Sequence, residues 1–239
     1  MSSVQVSASV LSADFSRLGE EVQLTEAAGA DSFHLDVMDG HMAPNLSFGP
    51  PIIKAIREKT SLHCDAHLMI DQPWLFIDDY VNCGMDSILI HAEAYDTSPI
   101  DHTLINTVPR SSKSIKIDEL ARDLAYIKSK GVSAGVTLNP GTSVACIESI
   151  LDQCDSILIM SVNPGFSGQA FIPEVMDKVR TLRNDYSYTR DIKIDGGINK
   201  DTAPLAVAAG ANVLISASYL YGSSDYKAAI SGLQSLTQA

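Results

Sequence analysis

The chain has 239 residues, 45% hydrophobic and 19% charged, enough apolar material for the core of one large domain or two small ones. A formal net charge of -12, with no cluster of Lys and Arg, excludes a nucleic-acid surface, since phosphate backbones are bound by grouped cations. Residues 1–15 lack a basic start followed by an apolar stretch, and no later apolar run is long enough for a bilayer, so a cytoplasmic protein without membrane contact is expected. Cys64, Cys83, Cys146 and Cys154 form no CxxC pair and lie in apolar surroundings, which predicts reduced, buried thiols with no role.

In chain order, short β-rich runs centre near Val6, Leu35, Ala66, Leu89, Val136, Leu158, Ile194 and Leu214. Runs such as SILI and VLIS carry little polar interruption, as expected of strands covered on both faces. Helical patterns separate them: Arg17 to Ala28 ends at Gly29, Leu120 to Lys130 at Gly131, and Ala203 to Ala209 at Gly210, each placing glycine where a helix C-cap takes a left-handed residue. Alternating β and α units imply a parallel sheet. Eight of them, with no GxGxxG after the first strand, predict an α/β fold of a single closed (β/α)8 TIM barrel over residues 1–239. The gap between the fourth and fifth strands is far above usual loop lengths. Residues 95–118, including NTVPRSSKSIKID and Pro109, read as an inserted βα loop on the active-site side.

In such a barrel the reactive side chains sit at the C-terminal ends of strands. The second strand ends FHLDVMDG, and strand alternation points His34 and Asp36 to one side while Leu35 and Val37 point to the other. The third strand ends CDAHLM and supplies His67; the seventh ends IKIDGG and supplies Asp195. Singly, an inward His is a common structural residue and an Asp before Gly a common turn. Together, two imidazoles and two carboxylates at three strand ends suit a divalent transition metal such as zinc or iron(II), with no Cys to close the site against substrate oxygens. A second group is glycine-rich. MSVNPGFSGQAF follows the sixth strand and ISASYLYG closes the eighth, so Gly165, Ser167 and Gly168, with Gly196, Gly197 and Ser218, form an expected phosphate cup of backbone N–H groups.

SVLSADFSRLGEEV, HLDVMDGHMAPNLSFGP, DAHLM, MSVNPGFSGQAFIPEVMDKVRTLR and IDGGIN strongly resemble the ribulose-phosphate 3-epimerase family, across nearly the whole chain. Related allulose-6-phosphate 3-epimerases share most of these motifs. The resemblance implies a TIM barrel of the ribulose-phosphate-binding type, usually a homo-oligomer, with a metal held by His34, Asp36, His67 and Asp195. Zn2+ is the first candidate, with Fe2+, Mn2+ and Co2+ behind it. It also implies that Asp36 and Asp195 are the acid and base. Substrate contacts would fall on Ser9, His67, the loop Gly165, Phe166, Ser167 and Gly168, the turn Asp195, Gly196 and Gly197, and the pair Ala217 and Ser218. Met38, Met69 and Met160 would line the reacting carbons; read alone they are core residues.

The chain departs from the family pattern at several points. Ala217-Ser218 replaces Gly-Ser and adds bulk where a backbone N–H should meet phosphate; His91-Ala92-Glu93 replaces His-Pro-Glu; Ser167 stands in a loop usually Gly-Phe-Gly-Gly. Lys193, two residues before Asp195, faces the interior where the family tends to be acidic, and Asp65 bears the same relation to His67. Odd-numbered strands share interior layers, so these two are expected to pair.

This set suits inversion of a carbon beside a ketone, in which a proton leaves one face and another returns to the opposite face. The expected reaction interconverts D-ribulose 5-phosphate and D-xylulose 5-phosphate through an enediolate, with allulose 6-phosphate as the alternative substrate. Two other readings compete. An orotidine-phosphate-type decarboxylase would need a lysine in HLDVMDG, which has none, and a silent sugar-phosphate-binding protein would not need the intact His/Asp set.

Overall fold

The computed structural model describes residues 4–97 and 115–237. Eight parallel strands close into a barrel in sequence order, β1 (Gln5–Ser9) completing the ring against β8 (Val213–Ser216). Between them lie β2 (Ser32–Met38), β3 (His63–Met69), β4 (Ser87–His91), β5 (Ser133–Leu138), β6 (Ser156–Met160) and β7 (Asp191–Asp195). All eight expected runs are strands.

Alternation along each strand sorts its side chains into two environments. Leu35 and Val37, Ala66 and Leu68, Ile88 and Ile90, Val136, Ile157 and Ile159, Ile192 and Ile194, and Leu214 point outward into the main apolar core shared with the helices. Their inward neighbours are mixed: Leu89, Leu158, Met160 and Ile215 form a small apolar cluster inside the barrel, while β2, β3 and β7 send polar groups there. Burial on both faces explains why some strands read as unbroken apolar runs and others alternate.

The outer layer comprises α1 (Leu18–Ala27), α2 (Pro50–Arg57), α3 (Ile77–Asn82), α4 (Ile117–Ser129), α5 (Met176–Asn184), α6 (Ala203–Ala209), α7 (Ser218–Tyr221) and α8 (Tyr226–Gln234). Between β5 and β6 a 3-10 segment, Val144–Gln153, takes the place of an α-helix. Gly29, Gly131 and Gly210 have φ of 99°, 78° and 113°, as their capping positions require. Among the described residues no helix is long and apolar enough to cross a membrane.

Two expectations are corrected. The inserted loop is shorter than 95–118, because Ala92–Tyr95 is a 3-10 turn and α4 already starts at Ile117, where Asp118 and Glu119 favour the helix N-terminus. Its ends are clasped by an antiparallel bridge between Asp96 and Ile115, with the Lys116 N–H donating to the Tyr95 carbonyl at 3.0 Å. Residues 98–114, with Pro109, lie outside the described residues. Cys146 is partly exposed rather than buried, although all four cysteines are free thiols. Burial pushes the thiols of Cys64, Cys146 and Cys154 up to about 12, which leaves them un-ionised at neutral pH.

The register of β2 against β3 aligns His34 with Asp65 and Asp36 with His67. One layer below the barrel mouth, Asp65 ion-pairs across the interior with Lys193 of β7, as their odd-strand positions predict. Both residues are buried. Lys193 and His34 together hold the Asp65 carboxyl well below the usual carboxylate range, against the opposing effect of burial. Lys193→Met removes the cation while the carboxylate stays buried, so unfolding in urea should show a loss of about 3 kcal/mol. An unchanged midpoint and slope would show that the pair contributes nothing to stability.

Candidate functional site

Three strands converge at the C-terminal mouth of the barrel. His34 and Asp36 come from β2, His67 from β3, and Asp195 from the last position of β7. One donor atom from each lies within 4.8 Å of all the others. His34 Nε2 is 3.1 Å from His67 Nδ1, and Asp36 Oδ1 is 3.3 Å from the first and 3.0 Å from the second. Asp195 Oδ2 stands 4.0 Å from each nitrogen. Donors bound tetrahedrally about 2.0–2.1 Å from one ion would be about 3.3 Å apart, so these spacings bracket the geometry of a small divalent cation.

The donor chemistry agrees. His34 Nδ1 lies 2.5 Å from Asp65 Oδ1 and, facing a carboxylate, must carry hydrogen. Its Nε2 is thus the nitrogen turned toward the other three donors. Two imidazole nitrogens and two carboxylates directed at one point repel one another unless a proton or a cation lies between them. The cluster has the ligand set for a divalent metal.

The two aspartates have opposite electrostatic surroundings. Burial works against the charge of Asp36, but His34 and His67 outweigh it and hold this carboxyl well below the usual carboxylate range. The Ser9 hydroxyl adds a hydrogen bond to Asp36 Oδ2 at 2.5 Å. Asp195, whose side chain is 15% exposed, is pushed up to about 7, first by burial and then by the negative charge of Asp36. His34 is raised well above its ordinary value, because Asp65 and Asp36 overcome desolvation. Burial lowers His67 to about 4.

Above this cluster opens a cleft. Ser9, Asp36, Asp195, Met38, Met69 and Met160 line it, as do Gly165, Phe166, Ser167, Gly168, Gly196, Gly197, Ala217 and Ser218. All of these were expected. His34 and His67 do not line it; both are 0% exposed and lie behind the carboxylates.

The glycine-rich wall has steric causes. Gly196 has φ of 117° and an added Cβ would lie 2.5 Å from a Val162 methyl; Gly197 has φ of 63° and its Cβ would lie 2.9 Å from the Phe171 nitrogen. Only glycine lets the turn after β7 pass so close to the loop after β6. Ala217 behaves differently: its φ of -114° lies outside the left-handed region that favours glycine. The loop after β6 is braced by Gln169, which donates to the Asn163 and Phe166 carbonyls at 2.7 and 2.8 Å, and by Asn45, which donates to the Gly165 carbonyl at 2.7 Å.

Comparison with known proteins agrees with this geometry. The model of the "Ribulose-phosphate 3 epimerase family" matches residues 5–115 and 110–221. The chain belongs to the ribulose-phosphate 3 epimerase family. It is therefore an enzyme of the isomerase class. It is 43% identical over 235 residues to the ribulose-phosphate 3-epimerase of Bacillus subtilis, covering 97% of this chain and 98% of that one. It is 40% identical over 236 residues to the chloroplastic ribulose-5-phosphate-3-epimerase of Arabidopsis thaliana, covering 98% and 77%. Among solved structures, 3-keto-L-gulonate-6-phosphate decarboxylase from Vibrio cholerae superposes with a TM-score of 0.68 at 11% identity, covering 98% of this chain and 96% of that chain. 3-Hexulose-6-phosphate synthase from Salmonella typhimurium gives 0.64 at 13%, covering 96% of each. At such identities these structures share the barrel fold alone.

In this epimerase-family chain several site residues escape sequence reasoning. Leu11, Val162, Pro164, Gln169, Ile198 and Ile215 also line the cleft. The short apolar ones carry no signal that separates them from core. His91 and Glu93, fully buried behind His67, stand in a short His-Ala-Glu string whose polar ends were the available clue.

Because Asp195 and His34 are both raised, protons occupy part of the donor set below neutrality and must leave when a cation enters. Zinc affinity should therefore tighten as pH rises through about 7, by about tenfold per pH unit for each proton displaced. Chelator competition at two pH values on either side of neutrality measures it; equal affinities would contradict these protonation states.

Proposed function

We propose that this chain is a metal-dependent ribulose-phosphate 3-epimerase that interconverts D-ribulose 5-phosphate and D-xylulose 5-phosphate by two-base proton transfer at C3. The observation that carries this reading is the pair of carboxylates on the cleft floor, Asp36 held well below the usual carboxylate range and Asp195 raised to about 7, beside two buried imidazoles. Epimerisation needs one carboxyl able to take a proton and another able to give one at the opposite face of the same carbon, with the roles exchanged in the reverse direction. Asp36 and Asp195 come from strands on different sides of the ring and so approach from separate directions.

His34, Asp36, His67 and Asp195 would hold the metal, zinc being the best match to two imidazoles and two carboxylates. When bound, a divalent cation supplies Lewis-acid stabilisation of the charge that develops on the ketone and neighbouring hydroxyl oxygens, worth several kcal/mol. Ser9 steadies the Asp36 carboxylate through its short hydrogen bond. Met38, Met69 and Met160 give the reacting carbons an apolar wall that excludes water, so a carbanion-like centre is protonated by the enzyme rather than by solvent. The backbone N–H groups of the 165–168 loop, the Gly196-Gly197 turn and the Ala217-Ser218 pair are the proposed anchor for the phosphate. The chain would work as one catalytic domain carrying an insert between β4 and α4, in a cytoplasmic homo-oligomer.

Asp36→Asn and Asp195→Asn should each lower turnover by at least about 1000-fold while leaving the circular dichroism spectrum unchanged. The decisive measurement is NMR in D2O with ribulose 5-phosphate and, separately, allulose 6-phosphate, with and without chelator. Deuterium entering at C3 together with xylulose 5-phosphate formation, both lost after metal removal, is the expected result. Exchange with only the hexulose would move the substrate to the six-carbon sugar. No exchange with either would leave a binding protein.

A further inference from the structure

Behind His67 a line of polar atoms runs away from the cleft. The His67 ring lies edge to edge with that of His91 at the end of β4, centroids 5.0 Å apart and planes 16° from parallel. His67 Nε2 lies 2.9 Å from His91 Nε2, and His91 Nδ1 lies 3.1 Å from Glu93 Oε2. The other Glu93 oxygen accepts the Asn139 N–H at 2.8 Å. All three side chains are 0% exposed, so water cannot substitute for any of these contacts.

With the rings neutral, hydrogens fit along this line in one order. Glu93 is ionised: burial would raise its carboxyl, but His91 and the Asn139 N–H hold it below its ordinary value. A carboxylate only accepts, so His91 carries its hydrogen on Nδ1. A neutral His91 then has a lone pair on Nε2, and His67 must supply the hydrogen that fills the gap. His67 therefore carries hydrogen on Nε2 and has a lone pair on Nδ1, the atom that faces His34 and Asp36.

We propose that Glu93 and His91 are positioning residues that present the Nδ1 lone pair of His67 to the divalent metal by engaging its opposite nitrogen as a hydrogen-bond donor. This rests on the reading of His34, Asp36, His67 and Asp195 as the ligand set. Neither His91 nor Glu93 lines the cleft, so they act through His67 alone. His34 is held by a different device, its Nδ1 bonded directly to Asp65. The two imidazoles thus meet the metal through opposite nitrogens, and each has its own carboxylate behind it.

The test uses zinc itself, with affinity measured by competition against a chromogenic chelator. His91→Phe keeps an aromatic ring in place and removes the acceptor; Glu93→Gln removes the charge that orders the hydrogens. Each should weaken zinc binding by about 10–100-fold and shift the ligand-field bands of the cobalt-loaded protein. His91→Gln, whose amide oxygen can accept the same hydrogen, should recover most of the loss. In the zinc-loaded wild type, long-range 1H–15N spectra should place hydrogen on Nε2 of His67 and Nδ1 of His91. Variants that fold normally and bind zinc within about twofold of wild type, or a wild-type His91 with its hydrogen on Nε2, would overturn the proposal. The wild-type spectrum decides even if a variant fails to fold. Failure of the ligand assignment looks different, because the wild-type chain would then bind no zinc, and the proposal would fall with it.

Discussion

Two carboxylates placed close to the same pair of imidazoles, in a barrel mouth too dry to solvate them, create the constraint to which the rest of the site responds. Asp36 and Asp195 cannot both be charged there at low cost unless something positive is shared between them. In this chain the imbalance is resolved by asymmetry: Asp36 collects both imidazoles and the Ser9 hydroxyl, while Asp195 stands farther off at the rim and is raised to about 7. The same asymmetry that relieves the repulsion would supply one base and one acid to the proposed reaction.

Barrel closure makes that arrangement possible. The paired registers His34 with Asp65 and Asp36 with His67 leave no freedom for β2 to slip against β3, since a one-residue shift of β2 would turn His34 and Asp36 into the outer apolar layer. The interior is therefore layered by chemistry. The Asp65–Lys193 pair neutralises a buried charge below the mouth, and Leu89, Leu158, Met160 and Ile215 form an apolar cluster contributed by β4, β6 and β8. Stability is supplied mainly by the outward-facing aliphatic side chains, which frees the inward positions at the mouth for function.

Much of this was legible in the residues. Strand positions, the capping glycines and the His34, Asp36, His67 and Asp195 set follow from alternation and punctuation, which are local rules. The Lys193–Asp65 contact was also within reach, because strand parity in a barrel converts sequence position into a layer. What stayed hidden depends on packing across the ring. His91 ends a strand like any polar terminator, and only its contact with His67 ties it to the site. Leu11, Val162 and Ile215 are apolar residues whose place on the cleft wall is decided by loops that cross above them. The insert was overextended because the acidic start of α4 continues the polar composition of the loop, so composition alone could not mark the helix boundary.

The clasp between Asp96 and Ile115 has an architectural consequence. The spacing of β4 and α4 is fixed at this bridge and not by the number of residues between its two partners. Lengthening such a closed excursion adds only a slowly growing entropic cost. Lineages can therefore vary this segment, and engineers can graft tags or recognition peptides into it, without re-registering the catalytic ring.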